Sequence, residues 1–386
     1  MAEAATAGAM PLLPGIPDEI VIWEVLVRLP PICLLRCRAV ARSWRRITFA
    51  HDFLLAHHGR QPSLPIFSGF SGRYHNILTF DHQAADPHLQ PVARLDNDQS
   101  LYVETSCDGL LILSTGSKNG DHFYVCNPAT RQHARLWGPP DFRLFTLLGM
   151  YPHRPTNEYR VLMYRRSNDE SIVENLLAND RVGFYIFTLG SDRPRYIEGL
   201  EPEAAEDLLW DTPALVRGSL HWSPRKHQTE SSLIWVFDTT AESFRHIRAP
   251  CDPTESYCFE IDGTLGIYRL NDAMQIIDIW VLQNYEGQVW EYKYRIQLPE
   301  EEIKGLLGWR KYELQVTVLS SDGDVLLLLA HGQWLFYVDT DGKLVDNFLH
   351  DGQLLNAFQF SLKQTLVPHN FFTALESYAV NASPFI

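Results

Sequence analysis

Histidine and aspartate clusters mark the places where this chain could do chemistry. His51, His57 and His58 stand close to Asp52, and imidazoles with a carboxylate are a zinc-ligand set. Adjacent histidines at the polar end of a helix turn to solvent more readily than to one ion, so solvated side chains are expected there. Asp322, Asp324, Asp339 and Asp341 look calcium-like by composition. They fall at hairpin turns without the loop spacing or the closing Glu of a calcium loop, so turn formation accounts for them. His221-Trp222, Trp235, Trp280, Trp290, Trp309 and Trp334 could line a ligand pocket, but their alternation within strand-like runs fits packing between neighbouring sheets. The chain has no Gly-rich phosphate loop, G-x-S-x-G elbow, H-E-x-x-H or helix-opening G-x-G-x-x-G. No catalytic residue, cofactor or metal is expected. The six cysteines, at 33, 37, 107, 126, 251 and 258, form no C-x-x-C pair and sit beside apolar residues. Neither a zinc ribbon nor a disulfide framework follows, and a reducing compartment is expected.

What positions such residues is bounded by composition. At 386 residues the chain is long enough for two or three units. Hydrophobic residues at 45% and charged ones at 21% exclude a disordered, collagenous or isolated coiled-coil chain. A net charge of −14 argues against coating a nucleic acid or an anionic membrane. The balance is uneven: residues 1–67 hold seven Arg and five acids, net +2, which leaves −16 for the rest. The first residues lack a basic n-region, and no run of about 18 apolar residues occurs, so neither a secretory signal nor a membrane span is expected. A nuclear or cytoplasmic protein is the expectation. Asn381-Ala382-Ser383 matches a glycosylation triplet by chance, and Pro384 makes it a poor acceptor.

Residues 1–15, small and rich in Pro and Gly, read as a flexible lead-in. At Pro17-Asp18-Glu19 the proline suits a first helical position and the acids suit the positive end of the dipole, which predicts a helix start. From Ile20 to Leu29 only Glu24 and Arg28 are polar, so that helix is apolar nearly all round. Pro30-Pro31 stops it. Leu34, Leu35, Cys37, Val40, Trp44 and Ile47 then recur at helical spacing, with Arg36, Arg38, Arg42, Arg45 and Arg46 between them. Two or three short helices with surplus apolar surface result; they either pack on the rest of the chain or dock another protein. An Arg-studded helix after a short turn also suggests a helix-turn-helix DNA reader. The net charge of −14 and a Trp and Ile stripe, in place of Asn, Gln or Ser base readers, weigh against it.

His51 to Pro65 completes this module, and Gly59, Pro62 and Pro65 mark a boundary. Beyond it come short apolar or alternating runs: Leu110–Leu113, Phe123–Cys126, Tyr159–Tyr164, Phe184–Leu189, Leu233–Phe237, Phe244–Ile247, Thr264–Tyr268, Gln275–Leu282, Val289–Ile296, Val325–Leu329 and Trp334–Val338. Asp108-Gly109, Asn119-Gly120, Asp262-Gly263, Asp322-Gly323 and Asp341-Gly342 are hairpin-turn signals between them. A weak repeat joins a turn and a strand to a second strand ending in Asp or Asn. Examples are Asp108–Leu111 with Val125–Pro128, Gly218–Trp222 with Val236–Thr239, and Asp322–Val325 with Tyr337–Thr340. The unit is blade-sized, about 40 to 50 residues. The roughly 315 residues available would build a β-propeller of six to eight blades, and closure into a ring spares exposed edges. A two-sheet sandwich of that length would be unusual. Recognition is expected in the long polar loops Arg166–Arg181, Ser223–Ser232 and Cys251–Tyr257.

Ile16-Pro17-Asp18-Glu19-Ile20, Val25-Leu26-x-x-Leu29-Pro30, Leu34-Leu35-Arg36-Cys37-Arg38, Val40-Ala41-Arg42-Ser43-Trp44-Arg45 and Phe53 resemble the F-box motif in order and spacing. Ile16 stands where Leu is usual and Ala41 where Cys is frequent, both apolar and of similar size. The resemblance implies docking to a Skp-type adaptor, and through it to cullin and RING subunits of a ubiquitin ligase. Pro17, Ile20, Leu26, Leu29, Pro30, Leu34, Leu35 and Val40 would supply the apolar contact, and Arg36 to Arg46 would steer toward the family's acidic adaptor. Some of these apolar residues must hold the helices together instead, and Trp44 and Ile47 fall mainly to the module's own core. Ser106–Leu111, Asn127–Arg131, Asn157–Val161, Gly218–Trp222 and Ile279–Leu282 resemble the kelch-like F-box-associated domain of plant F-box proteins. That domain is the family's receptor for a target protein. The expected organisation is a flexible 1–15, an F-box helical domain at 16–62 and a β-propeller-like domain at 66–386, α+β overall. The competing expectation is a propeller enzyme or ligand-binding protein whose helical module docks elsewhere.

Overall fold

A computed structural model describes residues 16–71, 74–84, 87–96, 100–116, 122–136, 145–166, 181–209, 211–224, 232–271, 275–307, 314–321, 324–350, 354–381 and 385. The chain divides into two compact units, one of residues 1–63 with 363–369, the other of 64–362 with 370–386.

In the first unit, α1 (Asp18–Ile20) follows Pro17 as expected, with Asp18 and Glu19 in its opening turn. The regular helix expected through Leu29 does not form. Residues Val21–Val25 widen into a π turn and Leu26–Arg28 tighten into a 3₁₀ turn. Ile20, Val21, Ile22, Val25 and Val27 are β-branched and crowd a regular turn, which explains the irregularity. Pro30 caps α2 (Pro31–Val40), and Pro31 occupies its first position. Helices α3 (Arg42–Thr48) and α4 (His51–Arg60) complete the unit around Val27, Leu34 and Phe53, all fully buried.

The second unit is a six-bladed β-propeller. Blade 1 contains β1 (Leu64–Ser71), β2 (Tyr74–Phe80) and β3 (Leu89–Asp96). Blade 2 contains β4 (Ser100–Cys107), β5 (Leu110–Gly116), β6 (His122–Asn127) and β7 (Gln132–Arg135). Blade 3 has β8 (Phe145–His153), β9 (Glu158–Arg165), β10 (Gly183–Thr188) and β11 (Arg195–Ile197). Blade 4 follows a short helix, α5 (Pro202–Leu208), with β12 (Ala214–Val216), β13 (Ser219–His221), β14 (Leu233–Asp238) and β15 (Ser243–Arg248). Blade 5 has β16 (Ser256–Ile261), β17 (Thr264–Asn271), β18 (Ile276–Asn284) and β19 (Val289–Gln297). After α6 (Glu300–Leu307), blade 6 has β20 (Gln315–Ser321), β21 (Asp324–His331), β22 (Trp334–Val338) and β23 (Leu344–Leu349). Then β24 (Leu355–Leu362) pairs antiparallel with β1, so the ring is shut by strands from its two ends. A last strand, β25 (Glu376–Val380), adds to β7 as a fifth strand of blade 2.

Side chains alternate across a strand, and here both faces are buried. In β5, Leu110 and Ile112 pack toward blade 3 while Leu111 and Leu113 pack toward blade 1. In β21, Leu327 and Leu329 meet Ile277 and Ile279 of blade 5, while Leu328 meets Phe67 and Phe80 of blade 1. Blades 3 and 4 join over Tyr151, Phe184, Trp222 and Phe237, and blades 4 and 5 over Ile234, Val236, Leu265 and Ile267. Hence the continuous apolar runs in sequence. The two helices were not expected in an all-β region. Proline in the first turn of α5 and Glu300, Glu301 and Glu302 in that of α6 start them, and Leu208 and Ile303 anchor them in the adjoining seams.

Turn chemistry matches the repeat. Asp108-Gly109 and Asp262-Gly263 both carry positive φ, at 48° and 85° and at 48° and 72°, as two-residue hairpins require. Asn127 Oδ1 accepts the amides of Ala129 at 3.1 Å and Thr130 at 3.3 Å, and Asp238 Oδ1 accepts those of Thr240 and Ala241, both at 2.8 Å. Asp339 Oδ1 likewise takes the amides of Asp341 at 3.1 Å and Lys343 at 2.9 Å, so its role is turn formation. Gly342 is required at that turn: its φ is 78°, and a Cβ would stand 2.1 Å from Gln297 O. Asn119-Gly120 and Asp322-Gly323 lie outside the described residues.

Ring closure depends on β24, which predicts unequal penalties. Leu362→Ala, at a buried position, should cost about 2–5 kcal/mol, and Leu349→Ala, exposed on β23, under about 0.5 kcal/mol. Urea unfolding measures both. A chain ending at 354 should not melt cooperatively, and a soluble, cooperative truncation would contradict closure.

Candidate functional site: the helical docking face

Among the described residues, nineteen large hydrophobic side chains are exposed, and nine of them fall between Ile16 and Leu55. That density is far above that of the propeller, whose surplus apolar groups meet across seams. The expected docking residues divide. Pro17, Ile20, Pro30, Leu35 and Val40 are exposed, Ile20 at 49% and Val40 at 65%; Leu29 is half-buried. Leu26 and Leu34 lie inside the unit's own core.

Helix α2 shows why sequence alone could not separate them. Pro31 and Leu34 form its buried stripe, whereas Ile32, Leu35 and Val40 lie on the exposed side. Both faces are apolar, so no polar stripe marks which one is inward. Exposed Ile32, Val25 and Phe49 join the candidate surface, although the motif had not singled them out for it. Trp44 and Ile47 are half-buried.

The arginines also divide. Arg36, Arg42, Arg45 and Arg46 are exposed. Arg38 turns inward: its guanidinium donates to Thr48 Oγ1 at 3.1 Å and Thr48 O at 2.7 Å, and stacks over Phe49 at 4.1 Å. It ties α2 to the end of α3, and its donors are engaged within the unit.

The histidines are not solvated as expected. His51 is exposed, but His57 is fully buried, and its Nε2–H donates to Leu29 O at 2.8 Å. Gln61 Nε2 donates to the same carbonyl at 3.2 Å, so α4 fastens the Leu29-Pro30 corner from below. The signal was present in the spacing: Phe53, His57 and Gln61 recur every fourth residue on one stripe of α4. His58 Nδ1 lies 3.4 Å from Gln364 O, and Lys363 Nζ donates to Gly59 O at 3.3 Å. Thr365 and Leu366 are buried in this segment. Residues 363–369 therefore complete the helical unit, a contribution that local sequence cannot announce. Among the described residues no group of His, Cys, Asp and Glu is placed to hold a metal ion, and no helix is long and apolar enough to cross a membrane.

Of the loops expected to carry recognition, Arg166–Arg181 and Ser223–Ser232 lie largely outside the described residues. Cys251–Tyr257 folds on itself, Asp252 accepting from Thr254 N at 2.9 Å and Ser256 Oγ donating to Asp252 O at 2.7 Å.

Residues 75–364 match the family model of the F-box associated beta propeller domain. The F-box protein At5g49610 of Arabidopsis thaliana is 24% identical, covering 92% of this chain and 98% of its own, a span longer than the propeller. F-box protein At1g30790 of the same plant is 24% identical over 74% of this chain and 75% of its own. Among solved structures, TolB from Acinetobacter baumannii is 9% identical with a TM-score of 0.39, covering 83% of this chain and 70% of that one, a likeness too slight to bear on function.

Buried neutral histidines make the helical unit acid-sensitive. Burial lowers the imidazole pKa of His57, and burial, with the nearby His58, pushes that of His369 down to about 4. Above about pH 6.5 neither costs anything. As pH falls below that value the unfolded chain takes up protons that the folded chain refuses, so stability drops by up to about 1.4 kcal/mol per pH unit per group. Urea midpoints of full-length protein at pH 7.5, 6 and 5 should therefore decline, and His369→Gln should flatten the decline; an unchanged slope would contradict the burial.

Proposed function

The chain belongs to the plant F-box proteins that carry an F-box-associated β-propeller domain, and on that premise we propose that it is the substrate-recognition subunit of a Skp-cullin-F-box ubiquitin ligase. In this reading the helical unit docks a Skp-type adaptor, and the propeller holds a target protein for ubiquitination and proteasomal degradation. The protein itself catalyses nothing; it raises the effective concentration of the target beside the ligase.

The observation that carries the reading is the exposed apolar set Ile20, Ile32, Leu35 and Val40 on a unit whose core is already filled by Leu26, Val27, Leu34 and Phe53. Exposed aliphatic side chains at this density are stabilised by a partner's apolar surface, at about 25 cal/mol per Å² removed from water. Arg36, Arg42, Arg45 and Arg46, exposed on the same unit, add steering toward an acidic adaptor. Residence in the nucleus, the cytoplasm or both is part of the proposal.

Point variants test this more cleanly than deletion, because removing residues 1–62 would strip Thr365 and Leu366 of the helices they pack with. Ile20→Asp with Val40→Asp places two carboxylates at exposed positions, where folding tolerates them and an apolar interface does not. The double variant should keep the wild-type melting curve and lose co-purification of the Skp adaptor and cullin. In a chase after translation is blocked, its target should also persist. Retained adaptor binding would favour a propeller enzyme or ligand-binding protein whose helical module docks elsewhere.

A further inference from the structure

Blades 4 and 5 meet at a group that the docking reading does not use. Tyr285 follows β18, and its hydroxyl is engaged on two sides. His221 Nε2 lies 2.6 Å from it, and Arg245 Nη2 donates to it at 2.6 Å. His221 is fully buried, and its Nδ1–H donates to Ala214 O at 3.3 Å. Its Nε2 is therefore the acceptor, and the Tyr285 proton points to it. The order of donation is thus fixed: Arg245 to Tyr285, Tyr285 to His221, His221 to the backbone. Burial keeps this imidazole neutral, with its pKa pushed down to about 4.

A second guanidinium approaches the same ring. Arg217 lies 5.8 Å from the Tyr285 centroid and Arg245 lies 5.1 Å from it. Both arginines are exposed, and among the described residues neither has an ion-pair partner, in a chain of net charge −14. By contrast, the arginines at the neighbouring seam are neutralised, since Arg160 and Arg195 both hold Glu242. Arg217 also occupies a costly place. It has φ 50° in the β12–β13 hairpin, where the equivalent residues of blades 2 and 5 are Asp108 and Asp262, which tolerate that conformation better. Arg131, at φ 54°, shares that conformation, so the backbone alone does not single Arg217 out; what does is a second cation without an ion-pair partner, Arg245, within 6 Å of the same ring, a like-charge arrangement that an anion would relieve.

We propose that Arg217 and Arg245, set by Tyr285 and His221, form an oxyanion clamp that takes a carboxylate or phosphoryl group on a peptide segment of the bound target. The inference rests on the receptor reading above and deepens it by giving the chemistry of the target. Arg245 has one N–H engaged by Tyr285 and others left to donate, and a planar guanidinium matches the two oxygens of a carboxylate or phosphoryl group. Tyr285 is a positioning residue, and His221 positions it in turn.

The test uses full-length protein and fluorescence anisotropy with three labelled probes of one sequence, carrying a central serine, phosphoserine or glutamate, with inorganic phosphate as competitor. At least one anionic probe should bind more tightly than the serine probe, less so as salt rises, and the comparison of phosphoserine with glutamate identifies the group. Arg217→Ala and Arg245→Ala should each weaken that binding about tenfold, and Tyr285→Phe should weaken it too while lowering the melting temperature, because the buried His221 Nε2 loses its donor. Arg217→Gly separates binding from folding: glycine suits the left-handed turn, so this variant should melt at or above the wild-type temperature and still lose the anion. Arg193→Ala, at an exposed site outside the clamp, should change nothing. Equal affinity for all three probes, or undiminished binding by Arg217→Gly, overturns the clamp. Adaptor co-purification measured on the same variants should be unchanged, so loss of the clamp and loss of the receptor reading give different results.

Discussion

The antiparallel pairing of β24 with β1 is the contact on which the propeller depends, because it joins strands some 290 positions apart into one blade. Without it blade 1 would present the backbone of β1 as an open edge, and the seam of Phe67, Phe80, Leu328 and Leu335 would lose its lid residue Leu355. Each remaining seam is built the same way, from two strand faces that are both apolar. A blade buries both sides only when it has a neighbour on both sides. Six blades therefore satisfy one another in a closed circle, and opening it at any point exposes two faces at once.

Closure also shapes the path of the chain after β24. Residues 363–369 leave to complete the helical unit, with Lys363 and the Gln364 carbonyl held at Gly59 and His58, and the chain then returns through Phe372, fully buried, to add β25 beside β7. The helical unit is thus assembled from two distant stretches of sequence. Its corner at Leu29-Pro30, fixed by His57 and Gln61, sets the end of the irregular first helix against the start of α2. That rigid corner lets α2 hold Leu34 inward and Leu35 outward with no polar stripe to tell the faces apart.

The architecture was legible because its signals are local. Short apolar runs bounded by turn residues made β5, β6, β14, β18 and β21 readable as strands, and Asp108, Asp262, Asn127, Asp238 and Asp339 marked the turns through hydrogen bonds to their own backbone or tolerance of positive φ. The blade count was not legible, since β11 and β12 have three residues each and carry no periodicity to detect. The docking residues were legible as a set but not in their division, because an all-apolar helix gives no inward direction. His57 was misread for a related reason: a residue whose polarity suggests solvent is buried once a carbonyl 28 positions away needs a donor.

The same distinction decides where recognition can vary. Seam residues such as Ile267, Leu327 and Trp222 are constrained from two sides, and a change in volume there is felt by two blades. Outer strands are freer: β15 buries Ile247 and β19 buries Ile296, while most of their other side chains face water. The hairpins are constrained in backbone but not in side chain. An arginine at the β12–β13 turn therefore fits the same fold that places aspartate at two equivalent turns, at a local conformational cost and with no change in the ring. A propeller of this kind can alter what it binds by changing turn and rim residues one at a time, provided that each position keeps its φ and leaves the seam beneath it filled. Arg217 and Arg245 stand at such positions, above a seam whose buried residues, Val236, Leu265 and Ile267, carry the stability that those two arginines do not.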